Sequence, residues 1–159
     1  MTQTFNKVQY IKLLKKDQSL KSKNSSLYKK NTTEYLELLS YRKIVYDQII
    51  YNRRHDYISL IEEYVTNEIY SFLFRLQFFQ LQREDNKIQN DLEKNFGRLS
   101  NILINLKLGK FYLLITHIFD ACEALKFDSE PEEAYGITEL QFQAFLEKIF
   151  LQMEKYSDK

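Results

Sequence analysis

Few residues of this 159-residue chain could carry acid–base, nucleophilic or metal chemistry, and their types narrow the search at once. There is one cysteine, Cys122, and there are two histidines, His55 and His117. A zinc site draws several Cys or His ligands from short spacings, which these three residues do not provide. A helical di-iron centre takes Glu-x-x-His from two helices, but Asn52 and Leu114 stand three residues before the two histidines. Haem ligation by the two histidines has no further support in the chain. A Cys–His nucleophile pair would need an activated thiol. Cys122 instead lies in an apolar helical stripe, the setting of a buried and inert thiol. Three scattered glycines cannot form a phosphate-cradling loop. No catalytic residue, metal ligand or cofactor is therefore expected, and the chain reads as a non-enzyme. His117 and Asp120, three apart on one helix, read as a partly buried pair sharing a hydrogen bond.

Charge offers a different chemistry. Residues 1–33 carry eight Lys against Asp17 alone, a net of +7, whereas residues 111–159 carry four Lys against ten acids, a net of −6. Arg53, Arg54, His55 and Asp56 form the sharpest polar cluster outside the N-terminal segment. Guanidinium groups suit carboxylate or phosphate recognition, although such a cluster is also the ordinary content of a solvated turn or an intramolecular ion-pair set. The candidate partner-binding residues are Lys12, Lys15, Lys16, Lys29, Lys30, Arg53, Arg54 and His55. Two uses follow from them. The first is a helical protein–protein interaction or assembly subunit of a larger complex, with other protein subunits as partners. The second is a nucleic-acid binder using the Lys-rich arm and the Arg53–Arg54 turn. A small-molecule or cofactor-binding bundle is a third reading.

Two short patterns resemble known families. The acidic residues Asp128, Glu130, Glu132 and Glu133 lie between two helices in a layout similar to an EF-hand. Aligning Ile137 with the hydrophobic eighth loop position puts Gln141 where a bidentate Glu is needed and Tyr135 where Gly is needed. Leu39-Ser40-Tyr41-Arg42 resembles the Leu-Tyr-Arg signature of small mitochondrial helical adaptors, with a serine inserted. Neither pattern carries a family assignment.

The elements that must position these groups are helical. Three Gly and one Pro leave little material for tight turns, so the chain is expected to be all-α: a bundle of about five to six helices with a basic N-terminal arm. The expected division is an arm over residues 1–32 and a helical domain over 33–159. In the arm, Phe5, Val8, Ile11 and Leu14 predict a short helix near 5–16, followed by an extended linker over 17–32. Thr33 is the expected N-cap of the next helix, with Leu36, Leu39, Tyr46 and Ile50 as its apolar stripe. Residues 51–56 read either as a connection or as a polar turn of one long helix over 33–83, which would make the molecule elongated. The stripe resumes from Tyr57 through Ile61, Tyr64, Val65, Ile69, Phe72, Leu76 and Phe79. Residues 83–90 read as a turn, and Leu92 to Leu106 as a helix ending at Gly109. Phe111 to Phe127 form the most apolar helix. The last helix has a capping box in Thr138 and Gln141 and a hydrophobic staple in Ile137 and Phe142, with Leu140, Phe145 and Ile149 facing the core.

Twelve Tyr and twelve Phe accompany abundant Lys, Asn and Ile, the bias of an AT-rich genome, so the tyrosine count is read as core material rather than as a functional signal. No stretch reaches the ~18 apolar residues of a membrane span. No apolar segment of a secretory signal follows the early lysines. A lone cysteine fits a reducing compartment, the cytoplasm or an organelle interior, and not secretion.

Overall fold

The computed structural model describes residues 4–106, 108–127 and 136–157. The fold is all-α, with eight helices and no β-strand among the described residues. In order they are α1 (Lys7–Ser22), α2 (Leu27–Lys30), α3 (Thr32–Asn52), α4 (Arg54–Val65), α5 (Ser71–Lys94), α6 (Phe96–Ser100), α7 (Gly109–Ala124) and α8 (Glu139–Met153), with a final 3₁₀ turn at Glu154–Tyr156. No helix among the described residues is long and apolar enough to cross a membrane.

Asparagine does much of the punctuation that glycine and proline usually supply. Asn6, Asn31 and Asn95 accept hydrogen bonds from the backbone N–H groups of Gln9, Glu34 and Arg98, and so cap α1, α3 and α6. Asn31, not Thr33, therefore caps α3. At the other ends, Asn24 and Asn67 take positive φ values of 55° and 62°. Around Asn67 the N–H of Glu68 bonds to the Glu63 carbonyl and that of Asn67 to the Tyr64 carbonyl. Around Asn24, Ser25 reaches Leu20 and Asn24 reaches Lys21 in the same pattern. Both are Schellman ends, with Asn in the left-handed position that Gly most often occupies.

These ends correct several expectations. The stretch 33–83 is not one helix: Arg53 separates α3 from α4, and Asn67 ends α4. Residues 17–32 are not an extended linker, because α1 continues to Ser22 and α2 follows at once. The expected turn at 83–90 lies inside α5. That segment is polar but holds no helix breaker, and its Asp85 is fully buried. The helix expected over 92–106 stops early. Asn95 starts the one-turn α6, Leu103 is 84% exposed, and Gly109 opens α7 instead of closing a helix.

The chain forms two compact units: Met1–Ile49 with Asp85–Lys107, and Ile50–Glu84 with Leu108–Lys159. In unit 1, Tyr10, Leu13 and Leu14 of α1 and Leu27 of α2 are buried with Leu38, Tyr41, Val45 and Ile49 of α3, and with Leu92 and Leu99. The basic segment is thus part of a core rather than an appendage to one. Arg42 ties the same elements together with charge. Its Nε donates to Glu93 Oε1 at 2.8 Å, its Nη2 lies 3.6 Å from Asp17, and the Tyr10 hydroxyl donates to Glu93 at 2.8 Å. Burial opposes the charge on Arg42, but hydrogen bonding and the charge of Glu93 outweigh it and raise the guanidinium pKa.

Unit 2 is built on aromatic packing. Phe74 and Phe78 stack at 6.0 Å, and Phe142 meets Tyr64 at 5.5 Å and Phe74 at 5.8 Å. The capping box of α8 is present in both directions: Gln141 N–H to Thr138 Oγ1 at 3.2 Å and Thr138 N–H to Gln141 Oε1 at 2.9 Å. Its core face is Phe142, Leu146, Ile149 and Met153. Of the three residues expected there only Ile149 is buried, and Leu140 is 79% exposed. Just before α8, Ile137 pairs with the end of α7: its N–H donates to the Ala124 carbonyl at 2.8 Å, and its carbonyl accepts from Lys126 at 3.0 Å.

Candidate functional site

Two apolar stripes run along the first turns of α5, and the fold buries only one. Ser71, Phe74 and Phe78 are buried, whereas Phe72 and Leu76 remain 52% and 47% exposed. Phe72 and Leu76 belong to the apolar stripe that the sequence spacing marks. A helix with apolar residues on two sides buries the side its neighbours cover and presents the other. In α7 the covered side is Phe111, Leu114, Ile115, Ile118 and Cys122, and Phe119 is left 38% exposed.

These outer residues meet. Phe79 packs edge-on against Phe119 at 5.8 Å, and Phe72 against Phe127 at 6.1 Å. Between the two pairs stands Arg75, whose guanidinium carbon is 5.8 Å from the ring centroids of both Phe79 and Phe127. Cation–π contact on two rings holds the planar guanidinium in place. Exposed aliphatic and aromatic side chains around an oriented arginine form a surface of the composition found at the centres of protein interfaces. No single motif marked it, because it draws on α5, α7 and the residues that follow α7. The signal available in the sequence was the second apolar stripe at 72, 76 and 79, three to four residues apart.

A groove of about 500 Å³ lies between α4 and α5, lined by Arg53, Asp56, Glu63, Gln77, Gln80 and Glu84 among others. Its charges are largely matched. Arg53 Nη2 donates to Glu84 at 2.7 Å and Nε to Asp56 at 3.4 Å. Hydrogen bonds from Gln80 and Arg53 hold the Glu84 carboxyl below its usual pKa. A general acid near neutral pH needs the opposite shift, so this groove is arranged as an ion-pair clasp between two helices.

The eight sequence-selected residues fall in both units. Lys12, Lys15 and Lys16 lie on α1, and Lys29 and Lys30 close α2, all on the surface of unit 1. Lys16 pairs with Glu34, and Lys15 stands over the Phe96 ring at 5.2 Å. Arg53, Arg54 and His55 belong to unit 2. Arg54 stacks on Tyr51 at 4.5 Å and donates to the Tyr156 carbonyl at 3.0 Å, while His55 is exposed. The arginine pair is thus engaged by its own unit. Cys122 is fully buried, and burial pushes its thiol up to about 12, with Arg75 opposing and Glu123 reinforcing the shift. His117 and Asp120 are both exposed, so the expected partial burial of that pair is not present. Among the described residues no three His, Cys, Asp or Glu side chains gather as a metal ion would need. Asp128, Glu130, Glu132, Glu133 and Tyr135 of the EF-hand-like segment lie outside the described residues. Comparison with protein-family models, with curated proteins and with solved structures finds no match to this chain.

Proposed function

We propose that this chain is a non-enzymatic helical interaction subunit, and that the outer face formed by Phe72, Arg75, Leu76, Phe79, Phe119 and Phe127 receives a protein partner. The observation that carries the reading is Arg75 held between two phenylalanine rings beside half-exposed Phe72 and Leu76. Leaving large apolar side chains in water is unfavourable by roughly 25 cal/mol per Å² of apolar surface, and a partner that covers them recovers that free energy. The non-enzymatic part rests on the chemistry of the reactive groups. The one thiol is buried and protonated, and the groove between α4 and α5 is an ion-pair clasp.

Size-exclusion chromatography of the protein from its native source tests the reading. The wild-type chain elutes in an assembly well above its own 19.3 kDa, and the Phe72→Asp/Leu76→Asp variant elutes alone. A wild-type chain that runs as a lone monomer at cellular concentration removes the proposal. A double variant that stays in the assembly places the contact elsewhere.

A further inference from the structure

Folding sorts the charge of this chain. Unit 1 contains fourteen Lys and Arg against seven Asp and Glu, a net of +7, and unit 2 contains nine against fifteen, a net of −6. Within unit 1 the imbalance is sharpest around α1, whose only acid, Asp17, is buried and paired with Lys21 and Arg42. The outward side of α1 carries Lys12 and Lys15, and its C-cap residue is Lys23, about 16 Å from Lys12 along the helix axis at 1.5 Å per residue.

A second basic strip lies against this one. Lys7 Nζ donates to the Ser100 carbonyl at 3.1 Å, Lys15 sits on the Phe96 ring, and Gln18 donates to the Glu93 carbonyl at 3.3 Å. α1 therefore runs alongside residues 93–100, and that segment adds exposed Lys94 and Arg98 around the half-buried Phe96. Glu93, the one acid of the segment, is turned inward to Tyr10 and Arg42. Asp91 is the exposed carboxylate nearest along the chain.

We infer that this ridge of Lys12, Lys15, Lys23, Lys94 and Arg98 binds the phosphate backbone of a nucleic acid without regard to sequence. It is a different surface from the aromatic face of unit 2 and stands independently of the function proposed for that face. The choice of partner follows from what surrounds the charges. Lysine is depleted at protein–protein interfaces, and the ridge offers one half-buried ring rather than a cluster of exposed aromatic anchors. A membrane-surface helix must present its apolar side to lipid, but Tyr10, Leu13 and Leu14 of α1 are locked in the core. A linear polyanion needs only a row of cations, and its counterion release supplies the free energy.

The test is fluorescence anisotropy of a labelled 24-base-pair duplex and the matching single strand, titrated with the full chain from 50 to 200 mM NaCl. Five phosphate contacts weaken duplex binding about 500-fold over that range, from a slope of about −0.9 per contact. The Lys12→Gln/Lys15→Gln/Lys23→Gln/Arg98→Gln variant reduces this to about 3–4-fold, and binding at 50 mM salt falls with it. If that variant melts below the wild type, Lys12→Gln/Lys23→Gln is used instead, and it removes about two units of slope. A charge-matched control on unit 2 (Arg83→Gln/Lys110→Gln/Lys148→Gln/Lys155→Gln) leaves binding unchanged. Absence of binding at 50 mM salt overturns the inference, as does equal loss in the control. Equal or tighter binding to polyglutamate or to phosphatidylserine vesicles also overturns it, and points to an acidic protein or a lipid surface.

Discussion

Replacing Arg42 with methionine removes a guanidinium that three elements of unit 1 share, while keeping most of its aliphatic stem. The wild-type side chain is 25% exposed and donates to both oxygens of Glu93, which is 14% exposed, and it lies beside Asp17, which is 5% exposed. The variant leaves Glu93 with the Tyr10 hydroxyl and leaves Asp17 with Lys21. Breaking a fully buried pair costs about 3–5 kcal/mol. The partial exposure of Arg42 and the remaining partners reduce this to about 3 kcal/mol at most. For a chain of this length that loss lowers the melting temperature by about 6–12 °C. Urea unfolding followed by circular dichroism measures it, in a cycle of Arg42→Met, Glu93→Gln and the double variant. The expected coupling is about 1–2 kcal/mol, largely retained at 0.5 M NaCl because the pair is poorly screened. A cost of Arg42→Met below about 0.5 kcal/mol, the level of an ordinary surface change, would refute the reasoning, and so would a coupling that vanishes. Either result would mean that α1 is held by its core residues Tyr10, Leu13 and Leu14 and its other polar contacts rather than by Arg42.

Three other expectations follow from the same structure. In α5, Phe78→Ala costs about 3–5 kcal/mol as a core truncation, while Phe72→Ala costs less than about 1 kcal/mol because its ring is half exposed. The reverse ranking in thermal melts would mean that the other stripe faces inward. Thr138→Ala removes one half of the α8 capping box and lowers unfolding free energy by about 1 kcal/mol; no loss in urea titrations would contradict the hydrogen bond from Gln141 N–H to Thr138 Oγ1. Cys122 resists iodoacetamide at pH 8 until the chain is unfolded. Its folded thiol is raised by burial from 9.0 to about 12, so its contribution to stability is complete below the unfolded value and is lost as pH rises from there toward about 12. Cys122→Ala flattens that alkaline loss, and prompt labelling of the folded protein at pH 8 would count against the burial.

Local hydrogen bonding was the most legible layer. Thr138 and Gln141 satisfy each other within three residues, so their pattern needs no partner element to form. The asparagine ends at 24 and 67 use the same short-range chemistry, but no residue-type signal as strong as glycine marks them in the sequence. Asparagine tolerates the left-handed region as glycine does, without glycine's distinctive scarcity or abundance to mark it. Residues 83–90 have the polarity of a turn but no helix breaker, and Asp85 and Gln89 lie on the inner side of a continuous helix, with Gln89 donating to the Arg42 carbonyl at 2.7 Å.

By itself, then, the sequence determined an all-helical chain, a lone cysteine in an apolar stripe, the start of α8 and a segregation of basic from acidic residues. Those properties are set by composition and by bonds between near neighbours. Only the tertiary structure decided which side of a doubly apolar helix is covered. In α3 it is Leu38, Tyr41, Val45 and Ile49 rather than Leu36 and Leu39; in α5 it is Phe74 and Phe78 rather than Phe72 and Leu76. Burial of apolar area is non-directional, so two stripes of similar hydrophobicity are nearly equivalent until a neighbour packs on one of them. The uncovered stripe of α5 becomes the aromatic surface around Arg75. The same packing sets α1 beside residues 93–100, and so gathers lysines and an arginine that lie some eighty residues apart in the chain.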